Sequence, residues 1–363
     1  MPQPCAVPRR RPAASAPARP RVSAACPPAL VAALAVALLV PVSCGPVPDT
    51  RSPDVDLKPP QVQSVQASSP AEISIQFDEE AALSDGKTRI TPPLAVQQVT
   101  AAGSRVVVQA EAQAPGRRYD LEAEARDTHG NTASFDAEFY GYNARTPALL
   151  INELTPRGSG SHPDAVELKC LAAGNIGGVV LYLGCPEDND GRFVFPPLEV
   201  AAGAFIVLHL KPSGDPAEVD ETSRPDQSGG FDALPTAWDF WMKDSPGLPG
   251  NNGVLSVYDR PGGSVRDAVV WSNRTSQSDE QYGGFGSEQM RSRVEELVRL
   301  GAWKAAGQRV SPEDAVNPEG STATRSLCRA ADGRDTNSAA DWHIVPTRKA
   351  SLGTENSDDV YAP

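Results

Sequence analysis

The sequence lacks the residue spacings that mark common metal and nucleophile sites. No HxH, HExxH or G-x-S-x-G segment occurs. Residues 188–191 follow part of an EF-hand loop, but Pro197 stands where the bidentate glutamate is needed. The histidines are isolated along the chain: His129, His162, His209 and His343. The sequence therefore predicts no metal, no cofactor and no catalytic residue, and we expect a protein that is not an enzyme.

Positive charge is also scarce. The chain of 363 residues has 33 Lys and Arg against 46 Asp and Glu, a formal net charge of −13. Residues 1–43 contain five arginines and no Asp, Glu or Lys, so the rest of the chain has 28 basic and 46 acidic side chains, a net charge of −18. Such a surface repels phosphate backbones, and no basic stripe offsets it. We therefore expect no nucleic-acid partner.

The apolar run near the N-terminus is too short for a membrane anchor. Residues 29–40, ALVAALAVALLV, are twelve apolar residues, whereas a membrane-spanning helix needs about 20. Arginines precede the run and small residues follow it, which is the order of a secretory signal. We therefore predict a signal peptide over residues 1–43 and exclude it from the fold.

A single cysteine stands at the end of this signal. The segment Val42-Ser43-Cys44-Gly45 resembles the lipobox of bacterial lipoproteins, although Pro41 replaces the usual Leu. The resemblance implies cleavage before Cys44 and acylation, with palmitate among the expected acyl chains, on its thiol and new N-terminus. The lipid would hold the protein on a membrane of the bacterial cell envelope, periplasmic or surface-exposed. The alternative is a plain secretory signal with a chance cysteine.

The chain after Cys44 predicts an all-β protein. Residues 44–60, rich in Pro and Asp, are predicted to be a semi-rigid linker. The 35 prolines and 30 glycines disfavour long helices, and residues 61–146 alternate apolar and polar residues as half-buried strands do. This unit resembles the Ig-like modules of bacterial surface proteins, with Tyr119 after Pro-Gly and an Asp-x-x-Gly-Asn turn at residues 127–131. The resemblance implies a β-sandwich that acts as a spacer or adhesive element.

Residues 147–358 resemble the lamin-tail domain, another Ig-like sandwich. LLINELTP supplies the opening strand with Glu153, and a "VEL" strand follows at residues 166–168. Turn residues predict a hairpin from GVLSVYD to VRDAVVW. The closing pattern is carried by Arg325, Asp335 to Ser338, Asp341-Trp342, Gly353 and Asn356. The resemblance implies a second sandwich in tandem with the first, interrupted by insertions.

One insertion predicts an amphipathic helix over residues 287–300. The residues Met290, Val294, Leu297 and Val298 share one face, and Ser287 and Gly301 suit its two ends. We expect this helix to cover a sheet edge, and a partner-binding helix is the alternative.

Two further side-chain sets are candidates for a specific role. Cys170 and Cys185 lie on strands expected to be neighbours, and an oxidising compartment favours a disulfide between them with Cys328 left free. The cluster of Trp238, Phe240 and Trp241 beside a Gly/Ser/Pro-rich loop is the candidate ligand-binding surface, because exposed tryptophans stack on sugars or anchor partners. Core packing is the alternative for this cluster.

The sequence favours a lipid-anchored envelope protein that binds or scaffolds without catalysis. An envelope or surface protein or a glycan is the expected ligand. The alternative is a secreted hydrolase or nuclease with an unrecognised site. Asp164, Glu167 and Lys169 superficially match a PD-(D/E)xK nuclease motif, but two residues between the Asp and the Glu cannot form the required hairpin.

Overall fold

The computed structural model describes residues 56–274, 282–307 and 309–363. The predicted signal peptide, Cys44 and most of the predicted linker lie outside the described residues. The chain from Asp56 to Pro363 forms one compact unit. Within the described residues, no helix is both long enough and apolar enough to cross a membrane.

The N-terminal lobe is a sandwich of eight strands. They are β1 (Val62–Ser69), β2 (Glu72–Phe77), β3 (Ala81–Leu83), β4 (Arg89–Thr91), β5 (Val96–Ala102), β6 (Arg105–Ala110), β7 (Arg118–Asp127) and β8 (Thr132–Tyr140). One sheet has the order β1-β2-β6-β5. In the other, β3 and β4 both pair with one side of β7, and β8 pairs with its other side. This is the strand order of a constant-type Ig sandwich whose third strand is split in two.

Alternating buried and less buried side chains along the strands form the core of this lobe. Buried and less buried residues alternate along β7, so Tyr119 and Leu121 point into the core with Ile75 and Val106 from the facing sheet. The hydroxyl of Tyr119 accepts a hydrogen bond from the backbone N–H of Ala114 at 2.9 Å. The bond ties the start of β7 to the chain that enters it.

Among its described residues, the C-terminal lobe has twelve strands. They are β9 (Leu149–Leu154), β10 (Ala165–Cys170), β11 (Gly174–Asn175), β12 (Val180–Cys185), β13 (Asp188–Val194), β14 (Glu199–Val200), β15 (Phe205–His209), β16 (Trp238–Trp241), β17 (Asn252–Tyr258), β18 (Val265–Ser272), β19 (Leu327–Arg329) and β20 (Trp342–Ile344). A sheet of order β16-β15-β10-β9-β19-β20 and a sheet of order β13-β12-β17-β18 share one apolar core. The all-β sandwich prediction is thus confirmed, as is the hairpin of β17 and β18.

The predicted helix is also confirmed, although its position differs from expectation. Helix α1 spans Glu288–Arg299, and the Ser287 side chain accepts a hydrogen bond from the Met290 N–H. Val294 and Leu297 are fully buried. The helix packs against β12 and β17, the central strands of their sheet, and not against a sheet edge.

The structure corrects both the predicted neighbouring strands and the predicted disulfide. Cys170 ends β10 and Cys185 ends β12, and these strands belong to different sheets. Cys170, Cys185 and Cys328 are all free and buried. Burial raises the pKa of the Cys170 and Cys185 thiols to about 12, so both stay protonated and unreactive at neutral pH.

Candidate functional site

The aromatic cluster proposed as a binding surface belongs to the core. Phe240 and Trp241 are buried, and Trp238 is half-buried. Phe240 packs edge-on against Phe195, while Trp241 stacks on His209 at 4.0 Å and donates its indole N–H to the Ser228 hydroxyl. These residues form β16, which pairs in parallel with β15 beneath the long loop that precedes it. The sequence-based assignment of a ligand surface to this cluster is therefore corrected.

Buried carboxylates organise that loop. Glu221 accepts hydrogen bonds from the backbone N–H groups of Gln227, Ser228 and Asp239. Asp239 in turn accepts from the Leu234 N–H and lies 2.8 Å from His209 Nε2. The Gly/Ser/Pro-rich loop beside the aromatic cluster is thus held by buried carboxylates. Neither acidic residue follows a recognisable motif, so sequence reasoning missed both.

A buried ion pair joins the two sheets of the C-terminal lobe. Arg329 on β19 donates to both carboxylate oxygens of Asp267 on β18, at 2.8 and 2.9 Å, and neither side chain is exposed. Arg329 also donates to the Ile151 carbonyl, and Asp267 accepts from the Ile151 N–H. Burial raises the pKa of Asp267 to about 6 against the lowering effect of Arg329. We call this pair the sheet bridge.

The arginine of the sheet bridge is not the one that the sequence analysis singled out. Arg325 stacks on the Tyr361 ring at 4.3 Å and does not enter the core. The arginine buried in the core is Arg329, and Asp335 and Asp341 lie beside its guanidinium.

Two buried glutamates hold the segment at residues 348–356, which we call the closing segment. Glu153 on β9 and Glu167 on β10 are cross-strand neighbours with no exposed area. Glu153 accepts hydrogen bonds from the Ser351 N–H and hydroxyl, and Glu167 accepts from the Gly353 N–H and the Asn152 amide. Burial, then the charge of Glu153, raises the pKa of Glu167 to about 8.

This arrangement places the nuclease-like residues in structural roles. Glu167 is buried, Lys169 pairs with Glu355, and Asp164 accepts hydrogen bonds from the Gly158 and Leu248 N–H groups. Glu167 and Lys169 thus both bind the closing segment, whereas Asp164 holds two other loops.

Four loops at one end of the C-terminal lobe line a half-open cavity of about 380 Å³. We call it the end-loop cavity, and its lining residues are Thr155, His162, Asp232, Leu234, Ala323, Thr324, Arg348, Ala350 and Leu352. The volume lies within the range of small-ligand sites, and apolar side chains with a few polar groups are the usual lining of such sites. The closing segment supplies one wall of this cavity.

The polar residues of the end-loop cavity have unusual geometry. His162 Nδ1 lies 2.8 Å from an Asp232 carboxylate oxygen. Asp232 and Arg348 have φ angles of 61° and 65°. A non-glycine residue in this left-handed region carries strain of about 1–3 kcal/mol, and such residues concentrate at functional sites. Two of them lining one cavity mark it as the candidate site.

Two larger hollows contain charged groups that are already paired. The hollow of about 560 Å³ beside α1 is lined by Arg293, which binds Asp188 and Asp190, and by Arg299, which binds Glu296. In the hollow of about 640 Å³ near the C-terminus, Arg274 donates to backbone carbonyls and Glu319 binds Arg157. The arginines of these hollows are thus engaged by the fold.

One group in the described residues has metal-ligand spacing. The ligand atoms of Asp56, Asp127 and His129 lie within 4.8 Å of one another. Asp127 already accepts hydrogen bonds from the backbone N–H groups of His129 and Asn131 and from the Asn131 amide. Its carboxylate therefore stabilises the predicted turn before β8.

The fold and the cavity together define an all-β sandwich protein with a ligand-sized site at one end of its larger lobe. A family model described as "TP_1001_2nd: protein second domain" matches residues 147–344. The match covers more than half of the chain, and the chain belongs to this family.

Two individual proteins are similar to parts of the chain. An uncharacterized protein of Treponema pallidum (strain Nichols) is 31% identical over 192 residues, which are 51% of this chain and 48% of that protein. The chain therefore spans about half the length of that relative. The crystal structure of dimeric latent PorU from Porphyromonas gingivalis matches 59% of this chain and 20% of its own, at 12% identity and a TM-score of 0.18. A TM-score this low carries no argument.

The pKa of Glu167 predicts how stability depends on pH. Because the pKa is raised from 4.5 to about 8, the folded state holds a proton that the unfolded state releases between these values. The free energy of unfolding should therefore fall as pH rises through this window, by at most about 1.4 kcal/mol per pH unit. Glu167→Gln should flatten this dependence in denaturant titrations at pH 5–9.

Glu355→Gln is the matched control. Glu355 is exposed and its ion pair in the described part of the chain is with Lys169, so this variant should keep the wild-type slope. Equal slopes for wild type and Glu167→Gln would contradict the assignment.

Proposed function

We propose that the protein is a lipid-anchored component of the bacterial cell envelope that binds a small ligand in the end-loop cavity without transforming it. The observation that carries this proposal is the cavity itself, with its apolar lining and its two strained polar residues. The anchoring half of the proposal rests on the lipobox-like segment at Cys44 and on the resemblance of the two lobes to Ig-like and lamin-tail modules.

The chemistry of the cavity favours binding over turnover. The Thr155 hydroxyl donates to the Pro163 carbonyl and accepts from the Ala165 N–H, so it is held in the backbone turn. The three cysteines of the described residues are buried and do not line the cavity. The apolar surfaces of Leu234 and Leu352 offer contact area to a ligand.

A hydrolase is the second candidate function, because the imidazole of His162 is oriented by a carboxylate at 2.8 Å. Hydrolysis of p-nitrophenyl octanoate by the wild type, lost in His162→Ala, would favour this candidate. It would contradict the non-catalytic proposal.

Filling the cavity should abolish binding without unfolding the lobe. Ala350 lines the end-loop cavity from an exposed loop, where a large side chain is tolerated. The neutral fluorescent probe N-phenyl-1-naphthylamine should bind the wild type at one saturable site. Ala350→Trp should lose this site, as measured by fluorescence titration.

Ala202→Trp is the matched control for this experiment. It adds the same side chain to an exposed turn before β15 that does not line the cavity. If the wild type, Ala350→Trp and Ala202→Trp bind the probe with the same saturable affinity, the cavity is not the binding site.

The anchoring half has its own test. In a bacterial host, the wild type should partition into the membrane fraction, and its mass spectrum should show cleavage before residue 44 and acyl groups on Cys44. Cys44→Ser should remove the acyl groups and the detergent-phase partitioning. A wild-type chain with an unmodified thiol at Cys44 would overturn this half and leave the cavity proposal unaffected.

A further inference from the structure

Arg348 occupies a backbone position that suits glycine. The Lys349 N–H donates to the Pro346 carbonyl at 3.0 Å, so residues 346–349 form a turn with Arg348 as its third residue. The φ of Arg348 is 65°, and a third turn residue with positive φ is normally glycine or asparagine. The arginine is therefore present against the preference of the backbone.

Arg274 has a similar backbone conformation, but the fold binds its side chain. It has a φ of 61°, and its guanidinium donates to the carbonyls of Pro312, Glu313 and Ala315. Arg348 differs, because its guanidinium has no hydrogen-bond or ion-pair partner within the part of the chain that the structure describes. The fold holds the backbone of Arg348, because its N–H donates to the Thr324 carbonyl at 2.9 Å, whereas its exposed side chain is left without a partner in the described ranges.

The surroundings of Arg348 indicate the missing partner. Leu234, Ala350 and Leu352 give the cavity an apolar floor, and His162 turns one ring nitrogen to Asp232. Among the described residues, the other ring nitrogen of His162 has no hydrogen-bond partner. Arg348 lines this largely apolar cavity, and its exposed guanidinium has no partner among the described residues, so it is available to bind an anion.

We propose that the end-loop cavity takes an amphiphilic organic anion. A carboxylate or phosphate head group binds the guanidinium of Arg348, whose planar fork matches both groups, and the apolar body of the ligand lies against Leu234 and Leu352. This inference rests on the proposed binding function and names its ligand class.

Competition against the neutral probe tests the inference. Octanoate, octyl phosphate and octan-1-ol are each titrated against bound N-phenyl-1-naphthylamine on the chain carrying Cys44→Ser, which has no acyl group at that residue to compete. Either octyl anion should displace the probe at least about tenfold more tightly than the alcohol, the increment of one charge-assisted hydrogen-bonding contact. Comparison of the two anions identifies the preferred head group.

Arg348→Gly separates binding from folding. Glycine adopts a positive φ without strain, so this variant should unfold at a temperature no lower than the parent. It should nevertheless lose the tenfold preference for the anions, while the affinity for the neutral probe is retained. Arg89→Gln removes an exposed arginine of the N-terminal lobe that has no side-chain partner among the described residues, and this variant should keep the preference.

The outcomes distinguish the two proposals. Equal displacement by octanoate, octyl phosphate and octan-1-ol, or an anion preference that survives Arg348→Gly, would overturn the inference and leave cavity binding in place. Absence of saturable probe binding to the wild type would overturn the binding function itself.

Discussion

The sheet bridge between Asp267 and Arg329 is the constraint on which the C-terminal lobe depends. Two charges without exposed area are tolerated only when each is fully paired, and here the pairing joins strands of opposite sheets. Both side chains also bond to the backbone of Ile151, so β9 is fixed between them. The register of β9 decides where its next two residues, Asn152 and Glu153, place their polar groups.

Those polar groups connect the core to the cavity. Asn152 bonds to Glu167 and Asn356, while Glu153 holds Ser351. Asn356 additionally donates to the carbonyl of Arg329, which returns the network to the sheet bridge. The closing segment is therefore held by side chains that the bridge positions, and this segment supplies the Arg348 wall of the end-loop cavity. A constraint in the core thus shapes the proposed binding site at the end of the lobe.

Much of the fold was predictable from local patterns, whereas most of the candidate site was not. Alternation along β7, the turn signals around β17 and β18, and the capped apolar face of α1 are encoded within a few residues each. The cavity brings together residues as distant as His162 and Arg348, and only the strand order determines that meeting. The dependence on strand order also explains why the predicted disulfide and the predicted aromatic ligand surface were wrong. The partners of Cys170 and the burial of Trp241 depend on which strands are neighbours.

Hydrogen exchange of the closing segment tests this account most directly. Asp267→Asn removes the bidentate carboxylate from buried Arg329, which keeps Asp335 and Asp341 beside its guanidinium, and should lower the free energy of unfolding by about 1–3 kcal/mol. Leu255→Ala, a cavity-creating change elsewhere in the same core, should cost about 2–5 kcal/mol. The account predicts that the amides of Ser351 and Gly353 lose more protection in Asp267→Asn than in Leu255→Ala, relative to the global stability of each variant. Equal loss in the two variants would contradict the claim that the sheet bridge positions the wall of the cavity.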